Sequence, residues 1–504
     1  MEQSQLSSNA DARFHHRIEF EAGTSNSIIL SESETIAARL LLSNAERDFQ
    51  ALELQFVAPS HQRAQDAAQL QRLRAAVAPH KRLPTELLSY IFHLSTEDEF
   101  FNIPLGPEPT PPWTLRHVCS RWRNIVLDDR NFWSSIAVNL ERGEGPGYKE
   151  IGDITKSTRL LDMVISKTGP IVMSLRIDGY FMRVQEAIER IIVPHASRMV
   201  DLDIGLPGDS MVVFYDMLPD DLGVLQNLIL DFVGPTSADP PISGFPSTLR
   251  NLTILGGYDV LYLLPTERAN WQHLIDLEFS HLYVKLSDMF SILEYCASLE
   301  TCDIAVWECD CGTSEHSIIL PHLRFFIVRL DHGAFFDAFT LPSLYRLYVQ
   351  FEESFPATEI TSMIQRSGCA LKKLDYYEAE GRVGECGPNA LANLFAATPS
   401  LQSLCAQTLM TPKPILERMG SNDLLPQLEE FETCLDAETL DMFFDVVEHR
   451  LRDIPSDASR SRLVSALGIY PENFSLEGDN QRFVVRAANL SKDYQSDVRI
   501  EPFL

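Results

Sequence analysis

The sequence predicts an α/β protein in which a helical N-terminal part precedes a long array of short parallel strands and helices. Two patterns predict this class. The triplet L-x-x-L-x-L, with other mostly apolar residues allowed at its three anchors, occurs eleven times between residues 172 and 433, and successive copies start 21 to 30 residues apart. Before residue 140, apolar residues instead recur every three or four positions, which is the spacing of an amphipathic helix.

Composition limits the kinds of partner. The chain has 504 residues and a formal net charge of −29, which repels phosphate backbones and anionic lipid surfaces, so neither nucleic acid nor a membrane is an expected partner. No apolar run reaches the ~18 residues that a membrane-spanning helix needs. The opening sequence MEQSQLSSNADARFHH has no apolar signal-peptide core, and nine scattered cysteines favour free thiols in a reducing compartment. We therefore expect a cytoplasmic or nuclear protein.

The first 78 residues divide into two parts. Residues 1–30 are polar and have no period, and we expect them to be disordered, whereas residues 31–78 are expected to form a helical segment. Ser31 and Glu34 have the S-x-x-E spacing of a capping box. The apolar stripe of the first helix comprises Ala38, Leu42, Ala45, Phe49, Leu52 and Phe56, and a second helix carries Leu70, Leu73 and Val77. The pair is either a short dimerising coiled coil or, as we favour, a helix pair that packs on the chain's own body, because fewer than four heptads are marginal alone.

Residues 79–140 contain two further short helices. Pro84 suits the first turn of a helix, where its missing N–H costs nothing. The apolar residues of that helix are Leu87, Leu88, Ile91 and Phe92. After the proline-rich loop LGPEPTPP, the stretch PWTLRHVCSRWRNIVLDDRNFW is expected to form a second helix with its apolar residues on one side. Two short helices cannot bury stripes of this width in each other, so another surface must cover part of them.

The order of these residues resembles an F-box. The resemblance covers residues 79 to about 138 and depends on Leu83-Pro84-x-Glu86-Leu87, Ile91-Phe92, Val118-Cys119-x-x-Trp122-Arg123 and Phe132-Trp133; the wording is closest to the F-box proteins of mushroom-forming fungi. The loop from Ser95 to Pro112 is longer than in a compact F-box. The resemblance implies a module that docks on the Skp adaptor of cullin-based ubiquitin ligases. Carried over by position, the adaptor-facing residues are Leu83, Pro84, Leu87, Ile91, Val118, Cys119 and Trp122. The alternative is that these residues form only an internal core.

The repeating triplet predicts the architecture of the longer part. A period of about 20 to 29 residues with this pattern is typical of the leucine-rich repeat, in which each unit supplies one short strand and a helical or irregular return. We assign residues 161–470 to such a solenoid, residues 141–160 to the joint before it and residues 471–504 to a C-terminal tail. The segments SDMFSILEYCAS, TSMIQRSG and PNALANLFAATPS are the expected return helices. Residues 436–452 and the strand-like LVSALGIY are expected to close the array.

Motifs for chemistry are missing from the sequence. It contains no G-x-x-x-x-G-K-[ST], G-x-G-x-x-G, G-x-S-x-G or H-E-x-x-H. The nearest approach to a zinc-binding motif comprises Cys302, Cys309, Cys311 and His316. However, Cys302 occupies a repeat anchor and C-x-C is an awkward pair of ligands, so we interpret these cysteines as ordinary thiols. We expect no catalytic residue, no metal and no cofactor. The expected function is a non-catalytic substrate receptor of a cullin-type ubiquitin ligase; the alternative is a repeat scaffold that binds proteins outside any ligase.

The positions between the anchors predict the substrate surface. Because the anchors point inward, the intervening residues project from the other face of the sheet. The candidate substrate-binding residues at or beside those positions are Asp201, Asp203, Asp231, Asp276, Glu278, Asp303, Arg329, Arg346 and Tyr348. One interpretation is an acidic lane that attracts a lysine- or arginine-rich segment of the substrate, with a basic and aromatic stretch as a second contact. The other is a solvated face on an acidic protein.

Overall fold

The chain divides into two compact units, Met1–Asp178 and Gly179–Leu504. The computed structural model describes residues 16–22, 28–54, 60–96, 100–103, 111–139, 154–178, 188–207, 221–233, 245–256, 270–280, 286–306, 317–330, 333–351, 355–378, 386–452, 461–470 and 481–502. None of the helices within these ranges is long and apolar enough to cross a membrane.

The first unit begins with a helical core. A π-helical turn spans Arg17–Ala22, α1 spans Glu32–Leu54, and α2 spans Ser60–Ala76. The predicted capping box of α1 is present: the Ser31 N–H donates to Glu34 Oε2 at 2.8 Å, and the Glu34 N–H donates to Ser31 Oγ at 3.3 Å. These hydrogen bonds lower the pKa of Glu34. α1 packs against α2.

Part of the segment expected to lack order is instead packed. Ile18 and Ala22 of the π-helical turn are fully buried and share one apolar core with Ala38 and Leu73. The physical reason is that α1 and α2 leave an apolar groove that the short RIEFEA segment covers. Residues 1–15 and 23–27 lie outside the described residues.

The helical module after α2 is more broken than its sequence suggests. A 3₁₀ turn spans Pro79–Arg82 and α3 spans Thr85–Leu94. The predicted second helix is divided into α4 (Leu115–Val118), α5 (Ser120–Asp128) and a 3₁₀ turn (Arg130–Trp133). The break lies at Cys119, whose backbone is extended (φ −160°, ψ 171°) and whose thiol accepts the Trp122 N–H at 3.4 Å. Cys119 therefore acts as the N-cap of α5, which a continuous helix would not allow.

A parallel sheet begins within the first unit, earlier than the repeat pattern indicates. Its strands are β1 (Phe101–Ile103), β2 (Ser135–Asn139) and β3 (Met173–Asp178), with β1 paired to β2 and β2 to β3. Helix α6 (Ile154–Thr168) connects β2 to β3 and includes the end of the expected joint. The predicted anchor Val172 is 54% exposed, and its neighbour Met173 is buried in its place.

The second unit continues in the same pattern, with parallel strands that follow one another in sequence order. The strands of its main sheet are β4 (Met199–Pro207), β5 (Asn227–Val233), β6 (Asn251–Leu255), β7 (Asp276–Ser280), β8 (Thr301–Val306), β10 (Phe325–Leu330), β12 (Arg346–Phe351), β13 (Lys373–Glu378), β14 (Ser403–Met410), β15 (Glu430–Cys434), β16 (Ser465–Tyr470) and β17 (Asp497–Pro502). The short strands β9 (Ile318–Ile319) and β11 (Phe339–Thr340) form a separate parallel pair.

Helices connect many of these strands. They are α7 (Leu286–Leu293), α8 (Ala357–Ser367), α9 (Pro388–Ala397), α10 (Lys413–Gly420), α11 (Leu440–Arg452) and α12 (Gln481–Tyr494), with shorter helical turns at Ile188–Ile192, Val193–Arg198, Trp271–His273 and Gly333–Ala338. All three expected return helices are present, as α7, α8 and α9. Gly368 ends α8 in the left-handed conformation (φ 61°), which a glycine adopts without strain.

The anchor pattern predicts the buried face of the sheet correctly. From the triplet at Met199 to the triplet at Leu428, every anchor is at most 2% exposed. The α/β class and the long parallel sheet are therefore as predicted. The array also continues into the expected tail, since α12 packs on β17 and β17 pairs with β16.

Candidate functional site

The helical module of the first unit has an aromatic core that holds α3 in place. Leu88 and Phe92 of α3 are buried, and the Phe92 ring centroid lies 4.6 Å from that of Trp122 on α5. Trp133 is also buried and donates from Nε1 to the Val126 carbonyl at 2.9 Å. Two of the three tryptophans near α3 therefore belong to an internal core rather than to an open surface.

Polar contacts fix the orientation of α3 further. His93 stacks on Phe132 at 4.1 Å, and His93 Nε2 lies 2.7 Å from Asp129 Oδ2. Ser89 Oγ donates to the same carboxylate oxygen at 3.3 Å. Since Asp129 caps the Arg130–Trp133 turn, these contacts connect the solvent-side edge of α3 to the end of α5.

The entry into α3 is also held. Arg121 of α5 donates to the carbonyls of Lys81 at 3.2 Å and Leu83 at 2.5 Å. Lys81 is buried, its ammonium donates to the Ala22 carbonyl, and burial lowers its pKa. The N-terminal core and the α3 module are thus joined through a buried lysine, which sequence periodicity did not predict.

One side of α3 is apolar and faces solvent. Leu87, Tyr90, Ile91 and Leu94 have the spacing i, i+3, i+4, i+7 and are between 46% and 62% exposed. We call these four residues the α3 face. Val118 at the end of α4 is another exposed apolar residue.

The predicted adaptor-facing residues separate into two groups. Pro84, Leu87, Ile91 and Val118 are exposed, as docking residues must be. Leu83, Cys119 and Trp122 are half-buried, and Cys119 and Trp122 also have internal roles as a helix cap and a core ring. Tyr90 and Leu94 were missed, although their spacing from Leu87 could have identified them.

In the second unit, the strand register arranges the outward residues of the main sheet in rows. The first row runs through Asp201, Asn227, Asn251, Asp276, Thr301, Phe325, Arg346 and Lys373. The second row runs through Asp203, Ile229, Thr253, Glu278, Asp303, Ile327, Tyr348, Asp375, Cys405 and Glu432. A third row contains Asp231 in β5 and Arg329 in β10. All nine predicted substrate residues therefore lie in rows that alternate with the buried anchors, and we call this surface the sheet face.

The acidic and basic parts of the sheet face are less separate than the sequence suggests. Arg329 on β10 forms a salt bridge with Asp303 on β8, the neighbouring strand of the sheet. Thr253 Oγ1 donates to Glu278 Oε2 at 3.3 Å. Part of the expected acidic lane is therefore neutralised or hydrogen-bonded within the chain.

The basic and aromatic part is organised around a buried carboxylate. Asp375 is only 6% exposed, and its Oδ2 accepts from Arg346 Nε at 2.6 Å. The rings of Tyr348 and Tyr377 stack beside it, with centroids 5.2 Å apart and planes at 24°. Burial raises the pKa of both tyrosines, so both hydroxyls stay protonated.

A thiol connects this cluster to the next strand. Cys405 Sγ lies 3.1 Å from the Tyr377 hydroxyl and donates to Glu432 Oε2 at 3.2 Å. Burial raises the pKa of Cys405 to about 12, so the group is a neutral thiol and not a nucleophilic thiolate. Sequence patterns gave no signal for this network.

The potential metal ligands of the chain are dispersed over the part that the structure describes. Within the described ranges, no three His, Cys, Asp or Glu side chains come close enough to hold a metal ion. Cys302 is fully buried at its anchor, and Cys309, Cys311 and His316 lie outside the described residues. No protein-family model and no curated protein matches this chain.

Proposed function

We propose that the protein is a non-catalytic substrate receptor of a cullin-type ubiquitin ligase. In this proposal the F-box-like module binds a Skp-type adaptor through the α3 face, and the sheet face of a leucine-rich-repeat-like solenoid binds the protein substrate. The observation that carries the proposal is the α3 face itself: large apolar side chains in solvent, on a helix whose other side is locked into an aromatic core.

The energetics favour a docking role for the α3 face. Burying one large apolar side chain contributes about 1.5–3 kcal/mol, so four neighbours on one helix can supply most of a stable interface centre. Helix-in-groove recognition uses the i, i+3, i+4, i+7 spacing that Leu87, Tyr90, Ile91 and Leu94 have. The resemblance of residues 79 to about 138 to an F-box implies that the partner is a Skp-type adaptor.

The receptor contributes no bond chemistry in this proposal. It holds the substrate on the sheet face while the adaptor connects it to a cullin, and the resulting proximity raises the effective concentration of substrate lysines near the transfer enzyme. The acidic residues that stay partly exposed favour a substrate with a basic segment, and they act mainly on association rate and orientation.

The test is a pair of matched double variants. Leu87→Asp with Ile91→Asp places two charges on the α3 face, and we expect it to abolish co-purification with the Skp adaptor, because desolvating an unpaired charge opposes docking. Ile319→Asp with Val464→Asp changes two exposed apolar residues of the second unit and should leave adaptor binding intact. Undiminished adaptor binding by a folded α3 variant would overturn the proposal.

A further inference from the structure

The first row of the sheet face carries two charged groups of opposite sign, Asp276 and Arg346, and their spacing indicates what kind of segment fits there. This inference rests on the proposed function, in which the sheet face binds the substrate. It concerns the row from Asn251 on β6 to Lys373 on β13.

The acidic end of this row lacks one hydrogen-bond donor. Asn227 donates to Asp201 and Asn251 donates to Asn227, in one direction along the row. The oxygen of Asn251 then faces Asp276. When the Asn251 amide is turned, its nitrogen donates to Asp276 Oδ2 at 2.8 Å and to the Arg250 carbonyl at 3.1 Å, and its oxygen faces the oxygen of Asn227 instead.

The mismatch follows from counting. Asp201, Asn227, Asn251 and Asp276 lie side by side, so there are three gaps between neighbouring side chains, and each gap needs one hydrogen-bond donor. Each carboxamide has its nitrogen on one side and its oxygen on the other side along the row. Two amides can therefore fill only two of the gaps. The remaining gap, where two oxygen atoms meet, lies between Asn251 and Asp276 in one direction of the Asn251 amide and between Asn227 and Asn251 in the other. An ammonium or guanidinium group from outside has donors for both oxygens.

The basic end of the row presents an oriented arginine. The buried carboxylate of Asp375 fixes Arg346 through Nε, and the two terminal nitrogens of Arg346 make no hydrogen bond to any residue that the structure describes. Lys373 is the next residue of the row, and its 3.7 Å pairing with Glu430 is between exposed groups and so is weak. A guanidinium held in this way suits bidentate contact with a carboxylate or a phosphate.

The register sets the distance between the two ends. Asp276, Thr301, Phe325 and Arg346 are direct neighbours in successive strands. Three steps of ~4.8 Å separate Asp276 from Arg346 by roughly 14 Å. An extended segment rises ~3.3 Å per residue, so this distance corresponds to about four residues. Thr301 and Phe325 offer a small and an aromatic contact between the charged ends.

We propose that the first row binds an extended substrate segment that crosses strands β7 to β12 and carries a basic residue at Asp276 and an acidic or phosphorylated residue at Arg346, about four positions apart. The ammonium or guanidinium supplies the donor that the two amides beside Asp276 cannot provide, and the anion accepts from the terminal nitrogens of Arg346. The order of the two charges along the segment is fixed by the direction in which it crosses the sheet.

The experiment is a selection of random displayed peptides of about 12 residues, long enough to span the row at ~3.3 Å each, on the full-length protein. We expect enrichment of one charge order, a basic and an acidic residue separated by three to five positions. Replacing the acidic residue of an enriched peptide by serine or phosphoserine distinguishes a carboxylate-specific site from a phosphate-accepting one.

Variants identify the subsites separately. Asp276→Asn fills the missing donor position, so it should remove the preference for a basic residue, weakening enriched peptides about tenfold (1.4 kcal/mol), without loss of thermal stability. Arg346→Gln retains a donor for Asp375 and should remove only the preference for the anion. Glu417→Gln on α10 removes the same unit of charge from an exposed helix position and should change neither.

Several results would overturn the inference. They are no enriched peptide, enriched peptides without the paired charges, charges at another spacing, or equal effects of Asp276→Asn and Glu417→Gln. None of these results alters adaptor binding by the α3 face, which is measured in the same preparations, so failure here is distinguishable from failure of the proposed function.

Discussion

The α3 face and the sheet face differ in how their side chains are satisfied. On α3, Leu87 and Ile91 hold apolar area in water although Leu88 and Phe92, the next residues along, are buried. On the sheet face, most charges already have a partner within the chain, as Arg329 has in Asp303. An exposed apolar row can gain free energy simply by being covered. A satisfied polar face gains little from area, and so it selects partners by the order and spacing of charges.

The sharpest test of this contrast compares two adjacent leucines of α3. Leu88→Ala removes a buried side chain and should lower the free energy of unfolding by about 2–5 kcal/mol, whereas Leu87→Ala should leave it within ~0.5 kcal/mol. Leu87→Ala should lower adaptor affinity directly, because Leu87 lies on the α3 face and Leu88 does not. Urea unfolding and adaptor titration of the two variants measure both quantities, and equal stability losses would mean that Leu87 is part of the core.

The second prediction concerns how much the salt bridges of the sheet face contribute to the free energy of unfolding. Arg346→Met leaves the buried Asp375 without its arginine, and we expect a loss of about 1–3 kcal/mol in the free energy of unfolding. Arg329→Met should cost less, because its partner Asp303 is more exposed. If urea midpoints of the two variants coincide with that of the parent, the charges on this face are not structurally coupled.

The third prediction uses salt to separate the two surfaces. Once a substrate is identified, its association rate should fall about tenfold when NaCl is raised well above physiological ionic strength, because long-range attraction between exposed charges is screened. The affinity of the adaptor for the α3 face should change far less. Stopped-flow measurements on both complexes provide the comparison, and equal salt dependence would remove the distinction between them.

At neutral pH the smallest effect is expected at Cys405. Its pKa is raised from 9.0 to about 12 in the folded chain, so the folded state retains a proton that the unfolded state loses above pH 9. Stability should therefore fall as the pH rises from about 9 towards 12. Cys405→Ala should make this fall less steep, with little change at pH 7. Urea midpoints across this range test the sign, and an unchanged slope would contradict it.

The two regions also differ in how much of them could be predicted from sequence. The anchors of the second unit point inward because successive side chains of a strand point to opposite faces of the sheet. The regular spacing of Leu228, Leu252 and Leu277 therefore predicts the buried face. The capping box at Ser31 and Glu34 is similarly local. By contrast, the helix break at Cys119 depends on one residue's extended backbone, which an apolar periodicity cannot detect.

The functional surfaces were harder to predict, because they depend on contacts between residues that are far apart in the sequence. Leu87 and Leu88 are chemically identical, yet Leu88 is buried, on the same side of α3 as Phe92, whose ring packs against Trp122 and Phe132. Strands β1 and β2 escaped prediction because their few residues lack the triplet and depend on pairing with β3. The pairing of Arg346 with Asp375 requires the register of two strands 27 residues apart.

Strand β17 forms an edge of the sheet, and its sequence disfavours β-pairing with another chain. Within the described residues, β17 pairs with β16 on one side and with no strand on the other, and such an open edge is a template for intermolecular β-pairing. The sequence DVRIEP opposes that pairing: Arg499 is flanked by Asp497 at 3.1 Å and Glu501 at 3.3 Å, and Pro502 has no N–H to donate. β16, with the largely buried sequence SALGIY, has no such protection. We therefore expect that removing α12 and β17 would expose β16 as an unprotected edge strand and cause aggregation.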